Sequence, residues 1–389
     1  MVVLSIQPHT GNCMRRSFAI AHLTSVHRRD DTRIFHKECR SLASAGYRVT
    51  LIVADGNGDA NVGDISIRDV DKSATRLGRM ANTTRRIYEA AQQLDADVFH
   101  FHDPELLPVG LSLKRLGQKV IFDAHEDVAK QIMSKPYIPQ YLRTATSVLY
   151  GAFEARASTH LDAIICATPS IAETFAKYGA EPTVVANYPI LGELAVRDTQ
   201  SSEKKNKICY VGGMTAIRGV QEIIKAARRT KNEIRLEFAG FFSPAKFEAQ
   251  IRALPEAKSA DFLGWLDRKQ VASLMAGSVA GVVTFLPVPN HVDAQPNKMF
   301  EYMSAGLPLI ASDFPLWREI ISEADCGICV DPTDVQAIAD AMDELASNRE
   351  RAVDMGLNGQ VAVKQKYNWA TQAEKLLALY ERLVRSNLS

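Results

Sequence analysis

The chain lacks any apolar run of the ~18 residues that a membrane span requires. It has no low-complexity tract and almost no net charge, +1 over 389 residues. The first absence argues against a transmembrane helix, and the last removes the global field that would gather nucleic acid. Cysteine is sparse and scattered, at Cys13, Cys39, Cys166, Cys209, Cys326 and Cys329. Only Cys326 and Cys329 lie close together. They flank Gly327 and Ile328 in an apolar stretch, without the second pair or the histidines that a zinc or redox site needs. They read as buried small residues of a reducing cytoplasm. Also missing is a Gly-x-Gly-x-x-Gly turn after the first strand, which leads instead into Thr24-Ser25-Val26-His27; this disfavours a Rossmann dehydrogenase. Residues Met1–Arg16 lack the basic start and long apolar core of a secretory signal and are expected to form a loosely held extension.

What is present is ordinary globular material: 46% hydrophobic and 23% charged residues, enough for a core in each of two domains. Apolar runs of strand length alternate with helical periodicity from end to end, the pattern of parallel sheets with crossover helices. In the first half, strands are expected at Ala19–Thr24, Arg48–Ala54, Val98–His102, Val120–Asp123, Ala163–Ala167 and Thr183–Ala186. A helix is expected over Thr32–Ala45, capped by Asp30 or Asp31 and stopped by Gly46. The pattern breaks at Asn187-Tyr188-Pro189 and in the polar run Asp198–Lys207. It resumes with strands Ile208–Val211, Ile234–Ala239, Ala260–Leu263, Ala280–Phe285, Leu307–Ala311 and Gly327–Val330. Helices are expected at Val220–Arg229, Ser243–Leu254, Asp267–Ala276 and Trp369–Val384. The fold class is α/β: two doubly wound Rossmann-like domains facing across a cleft, over 17–190 and 208–366. A linker spans 191–207, and a terminal helical segment spans 367–389. A ligand is expected at the carboxyl ends of the strands.

Three stretches carry chemistry. In Gln295–Pro308, Pro296 suits the first turn of a helix. The N–H groups of Asn297, Lys298 and Met299, with the dipole and the Lys298 charge, make an anion site. Glu301 follows on the same side of the helix, placed for ribose hydroxyls, and Asp293 in the preceding loop for sugar hydroxyls. In Tyr210–Val220, a strand runs through Gly212 and Gly213 into a helix. Glycines admit a diphosphate closely, and Arg218 can neutralise it bidentately. The third comprises Val98–Glu105, with His102 and Asp103, and Asp123–Asp127, with His125 and Glu126, each just past an apolar strand. His100 and His102 share one strand face, and no tight ligand cage is evident in the sequence, so no metal is expected. Arg68, Lys72, Arg76, Arg79, Arg85 and Arg86 give Arg68–Leu94 a basic face. The Tyr137–Tyr150 region mixes apolar and aromatic residues suited to a lipid-linked acceptor.

Together these residues resemble the retaining GT-B glycosyltransferases of family 4. The most specific part is Pro296–Pro308, similar to the family's P-x-K-x-x-E-Y-M-A-x-G-x-P stretch. Tyr210–Gly219, Phe262–Leu266, His22–His27 with Asp31–Arg33, and Tyr367-Asn368-Trp369 support it. The resemblance implies transfer of a sugar from a UDP- or GDP-sugar to a glycan or lipid-linked acceptor in bacterial surface polysaccharide synthesis, without cofactor or metal. It implies that 17–190 is the acceptor-side domain, that 208–366 binds the nucleotide sugar, and that the last helix packs back on the first domain. It implies catalytic roles for His125, Asp293 and Glu301. Gly212, Gly213, Arg218, Trp265, Leu266, Asn297, Lys298 and Met299 would line the donor site with Glu301, and His27, His102, Asp103 and Glu126 the acceptor side. Two departures stand out: Asp293 replaces the first Glu of the family's pair, and Gly213 replaces an Arg of its Gly-Arg-Leu sequence. A nucleotide-sugar epimerase or hydrolase of the same fold and a non-catalytic sugar-nucleotide-binding subunit remain as alternatives. The expected location is cytoplasmic, with peripheral contact at the inner face of the membrane left open.

Overall fold

A computed structural model describes residues 18–75, 78–135, 138–194 and 206–385. The expected extension, Cys13 and most of the expected linker lie outside the described residues. Alternation of strands and helices yields two sheets. The first has eight strands: β1 (Ala19–Leu23), β2 (Arg48–Val53), β3 (Ala60–Val62), β4 (Ile65–Asp69), β5 (Val98–Phe101), β6 (Lys119–Ala124), β7 (Ala163–Cys166) and β8 (Pro182–Val184). Their order is β3-β4-β2-β1-β5-β6-β7-β8. The second has β9 (Lys207–Val211), β10 (Arg235–Ala239), β11 (Ala260–Gly264), β12 (Ala280–Val283), β13 (Leu309–Ser312) and β14 (Gly327–Val330). Their order is β11-β10-β9-β12-β13-β14. In compactness the chain divides into residues 1–121 with 381–389, and residues 122–380.

In the second sheet, successive residues of one strand feed opposite cores, as a parallel sheet covered on both faces requires. Ile208 and Tyr210 of β9, Val282 of β12 and Ile310 of β13 pack with helical residues Ile223, Ile224, Ile338 and Met342. Their neighbours Cys209, Val283, Leu309 and Ala311 pack with Met275, Met299, Tyr302 and Trp317. The chain order reverses between β9 and β12, so their carboxyl ends open a switch point. In the first sheet the corresponding reversal lies between β1 and β5.

Local signals set the element ends. Asp31 Oδ1 accepts from the N–H groups of Arg33 and Ile34 at 2.8 and 2.9 Å. The helix it opens runs as a π-helical turn, Ile34–Cys39, continuing into Arg40–Ser44, and Gly46 with φ 90° follows it. Asp267 and Gln270 close a capping box on Arg268–Ala276.

One pair of strands escaped the sequence reading, and one expectation is corrected. Ala60–Val62 and Ile65–Asp69 form an antiparallel pair at the edge of the first sheet, although the short, exposed β3 has no alternation to announce it. Arg68 therefore lies in a strand, not on one helix with Arg85 and Arg86. The basic face is further divided because Arg68 pairs with Asp59, Arg79 with Glu105 and Arg85 with Glu89. Arg76 and Tyr137 lie outside the described residues. No helix among the described residues is long and apolar enough to cross a membrane.

One buried carboxyl group makes stability pH-dependent. Glu154, on the helix Gln140–Ser158, is 2% exposed and accepts from the Tyr150 hydroxyl at 3.0 Å. Burial raises its pKa to about 7, the tyrosine hydrogen bond opposing only in part. The folded pKa exceeds the unfolded one, so the group destabilises the fold once ionised, and stability falls as pH rises from about 4.5 to about 7. Glu154→Gln should abolish this loss. Urea midpoints at pH 5 and pH 8 should then differ less than in the unsubstituted protein, by about 3 kcal/mol in unfolding free energy.

Candidate active site

The switch point of the second sheet is walled by glycine and cation. β9 ends at Val211 and turns through Gly212, whose φ of 122° is closed to most side chains. A Cβ at Gly212 would lie 3.3 Å from Lys298 Nζ. One at Gly213 would lie 2.9 Å from Arg218 Nη1. The Gly213 carbonyl accepts from the Tyr210 hydroxyl at 2.8 Å and from Arg218 Nη1 at 3.0 Å. Arg218 Nη1, arriving from five residues further along, thus occupies the space that a side chain at 213 would enter. Gly219, with φ 70°, passes against the Thr284 carbonyl of the β12 exit so closely that a Cβ would stand 1.9 Å from its oxygen. That approach fixes Arg218 over the switch point.

Lys298 belongs to the first turn of the helix Asn297–Ser304, which has no side-chain cap and no acidic residue in that turn. Its Nζ lies 3.6 Å from the centroid of the Tyr210 ring and 5.1 Å from that of Phe285, and it has no hydrogen-bond partner among the described residues. Burial pushes this ammonium well below the usual lysine range, and the charge of Arg218 pushes in the same direction. Pro296 stands just before the helix. Met299, expected to offer a free N–H, donates it to the Pro296 carbonyl at 3.0 Å, because the first turn is tight; its side chain is core. Asn297 is exposed and Lys298 buried.

Around this cradle, Glu301 Oε1 accepts from Arg268 Nη1 at 2.7 Å, and Arg268 also grips Glu193 at 2.8 and 2.9 Å. Arg268 escaped the sequence reading, since nothing in its spacing ties it to Glu301. Asp293 is half-exposed and paired with Lys130 Nζ at 3.1 Å. His291, also missed, packs on Phe285 with 4.8 Å between ring centroids. Burial lowers its pKa, and Arg218 and Lys298 lower it further against the Leu286 carbonyl contact. Trp265 is 65% exposed, while Leu266 packs against the core. His125 Nε2 is 2.8 Å from Asp123 Oδ2, the buried carboxylate two residues earlier. Glu126 accepts from Gln131 Nε2.

At the first sheet's switch point, Asp103 is the hub. Its Oδ2 accepts from the Thr24 hydroxyl at 2.7 Å and the Ser25 N–H at 2.6 Å, and Oδ1 lies 3.1 Å from His27 Nδ1. Burial alone would raise this carboxyl, but His27, Thr24 and Ser25 outweigh it and hold the group well below the usual carboxylate range. His102 is buried, with Nε2 2.9 Å from His22 Nδ1.

Two mainly parallel α/β sheets, the second carrying a glycine-walled cationic cradle at its switch point, define the GT-B class of fold. The Glycosyltransferase Family 4 signature matches residues 32–188 and that of Glycosyl transferases group 1 matches residues 193–362. The chain belongs to the group 1/family 4 glycosyltransferases. Among curated relatives, a phosphatidyl-myo-inositol mannosyltransferase of Mycobacterium leprae is 25% identical over 52% of this chain and 50% of its own length. An O-antigen chain mannosyltransferase C of Escherichia coli is 22% identical over 75% of this chain and 77% of its own. The chain spans about half the length of the first such relatives, 50% and 55%. Among solved structures, Anabaena HepE with UDP and glucose aligns with a TM-score of 0.71 at 13% identity, over 94% of this chain and all of that one.

The cradle depends on a buried tyrosine. Tyr302 is fully buried, and its Oη accepts the Val211 N–H at 2.9 Å, next to Gly212. Tyr302→Phe leaves that N–H unpaired and should cost about 1–3 kcal/mol of stability. Chemical denaturation checks it; an unchanged midpoint would show that the Gly212 turn does not rely on this bond.

Proposed function

We propose that the protein is a retaining glycosyltransferase that moves a hexose from a UDP- or GDP-sugar to a glycan or lipid-linked acceptor, in bacterial surface polysaccharide synthesis. The observation that carries this reading is the Lys298 ammonium, buried without a hydrogen-bond acceptor at an uncapped helix start beside Gly212, Gly213 and Arg218. A buried cation in that state calls for an anion, and a diphosphate would satisfy Lys298, Arg218 and the helix N–H groups together. The two relatives described above are mannosyltransferases, which favours transfer over the epimerase, hydrolase and binding-subunit alternatives.

In this reading Glu301, steadied by Arg268, receives the ribose hydroxyls, and the Trp265–Leu266 segment borders the base. The sugar–phosphate bond breaks toward the diphosphate, and its electron pair stays on the leaving oxygen. The acceptor hydroxyl adds to C1 from the same face and gives its proton to that oxygen. Lys298, Arg218 and the helix start stabilise the charge that develops, so transfer runs on protein cations without a metal. Asp293 and His125 face the transferred sugar, His125 oriented by Asp123. His27, Asp103 and Glu126 serve the acceptor. Peripheral membrane contact would use the outward side of the helix Gln140–Ser158. There Tyr141 is 82%, Val148 65% and Leu149 71% exposed, and Leu142 and Phe153 add apolar surface.

A thermal-shift panel of UDP- and GDP-sugars identifies the donor, since a specific ligand raises the midpoint through linkage. Glu301→Ala and Arg218→Ala should keep the fold and each lower kcat by about 10²–10³-fold; unchanged transfer in both rejects the site. NMR of the product should show the donor's anomeric configuration retained.

Donor binding should also take up protons. Lys298 starts with a depressed pKa, and a diphosphate beside it raises that pKa. Affinity for the nucleotide should therefore weaken as pH rises through the window between the free and bound values. Calorimetry in two buffers of different ionisation enthalpy reads the uptake, and Lys298→Met should remove it.

A further inference from the structure

Four ligand-type side chains converge inside residues 1–121. His22 comes from β1, His100 from β5, His102 from just past its end, and Glu38 from the turn Ile34–Cys39. Their donor atoms all lie within 4.8 Å of one another, and all four residues are buried. Glu38 Oε2 stands 3.9 Å from His22 Nδ1, His100 Nδ1 and His102 Nε2 alike. His22 Nδ1 and His102 Nε2 are 2.9 Å apart. A tetrahedral zinc ion with bonds of about 2.0–2.1 Å needs its ligand atoms about 3.3 Å apart. The observed spacings bracket that value, so small side-chain adjustments suffice to admit the ion.

The surroundings match a metal shell as well. Arg33 Nε lies 3.1 Å from Glu38 Oε1, which fixes the carboxylate so that its other oxygen faces the imidazoles, as outer-shell partners of metal ligands do. The three rings are mutually packed, with centroids 4.5–5.1 Å apart, and each offers an imidazole nitrogen. Three nitrogens and one carboxylate oxygen suit zinc, and do not suit calcium or magnesium, which want oxygen cages.

We propose that His22, Glu38, His100 and His102 form a structural zinc site, separate from the donor cradle and independent of the reaction assigned to it. Four protein ligands close the coordination shell, so the ion would brace and not catalyse. It would tie β1 to β5 immediately before Thr24, Ser25 and Asp103, and so hold the two strand exits that carry the Asp103 hub. Binding releases or relocates the proton between His22 and His102, leaving each ring N–H on its outer nitrogen.

The test uses the full chain, stripped with a chelator and dialysed, with separate metal-free samples titrated with zinc and with cobalt(II). The proposal requires one zinc retained per chain by elemental analysis after desalting, and intense tetrahedral cobalt bands without a thiolate charge-transfer band. A folded protein that takes up no stoichiometric zinc, or a weak octahedral cobalt spectrum, overturns it. Glu38→Gln and His100→Asn should weaken zinc binding by about tenfold or more. Undiminished affinity in both, with the fold intact by circular dichroism, also overturns it. If those variants misfold, the zinc content and cobalt spectrum of the unsubstituted chain decide the matter alone.

Discussion

A lysine ammonium in a protein interior with no acceptor is an unstable arrangement, and Lys298 is in that position, pressed against the Tyr210 ring beside a helix start that no side chain caps. Most of the second domain's local design follows from keeping it there. The parallel sheet delivers the β9 turn and the β12 exit to one edge. Gly212 and Gly213 keep side chains out of the space, Gly219 lets two backbones touch, and Tyr302 ties Val211 down. A site so arranged is incomplete until an anion arrives, and its affinity for that anion comes from removing a buried charge imbalance as much as from new contacts.

Much of this could be read from residues alone. The order of strands and helices follows from alternation, and every expected strand that falls on described residues appears within a residue or two of its place. Pro296, Lys298 and the paired glycines were legible because their chemistry is local: a helix start and a tight turn are specified by a few consecutive residues. The β3–β4 edge was not legible, since its polar, exposed residues have no periodicity to show. Arg268 and His291 were hidden for a different reason. Each meets the site through folding of a distant segment, and neither sits in a motif of its own.

The histidines illustrate the same division. His100 and His102 were visible as a strand pair, yet a pair on one strand face is two ligands at most. His22 and Glu38 join them only because β1 pairs with β5 in the register His22 opposite His100, and because the π-helical turn carries Glu38 over the same point. Long-range register makes the cluster, and no spacing rule within one segment reports it.

The crowding at Gly213 has a consequence of its own. The atom that a side chain there would meet is the tip of the flexible Arg218 side chain and not backbone. An arginine placed at 213 therefore needs only that Arg218 swing aside, and two guanidinium groups could then face one anion together.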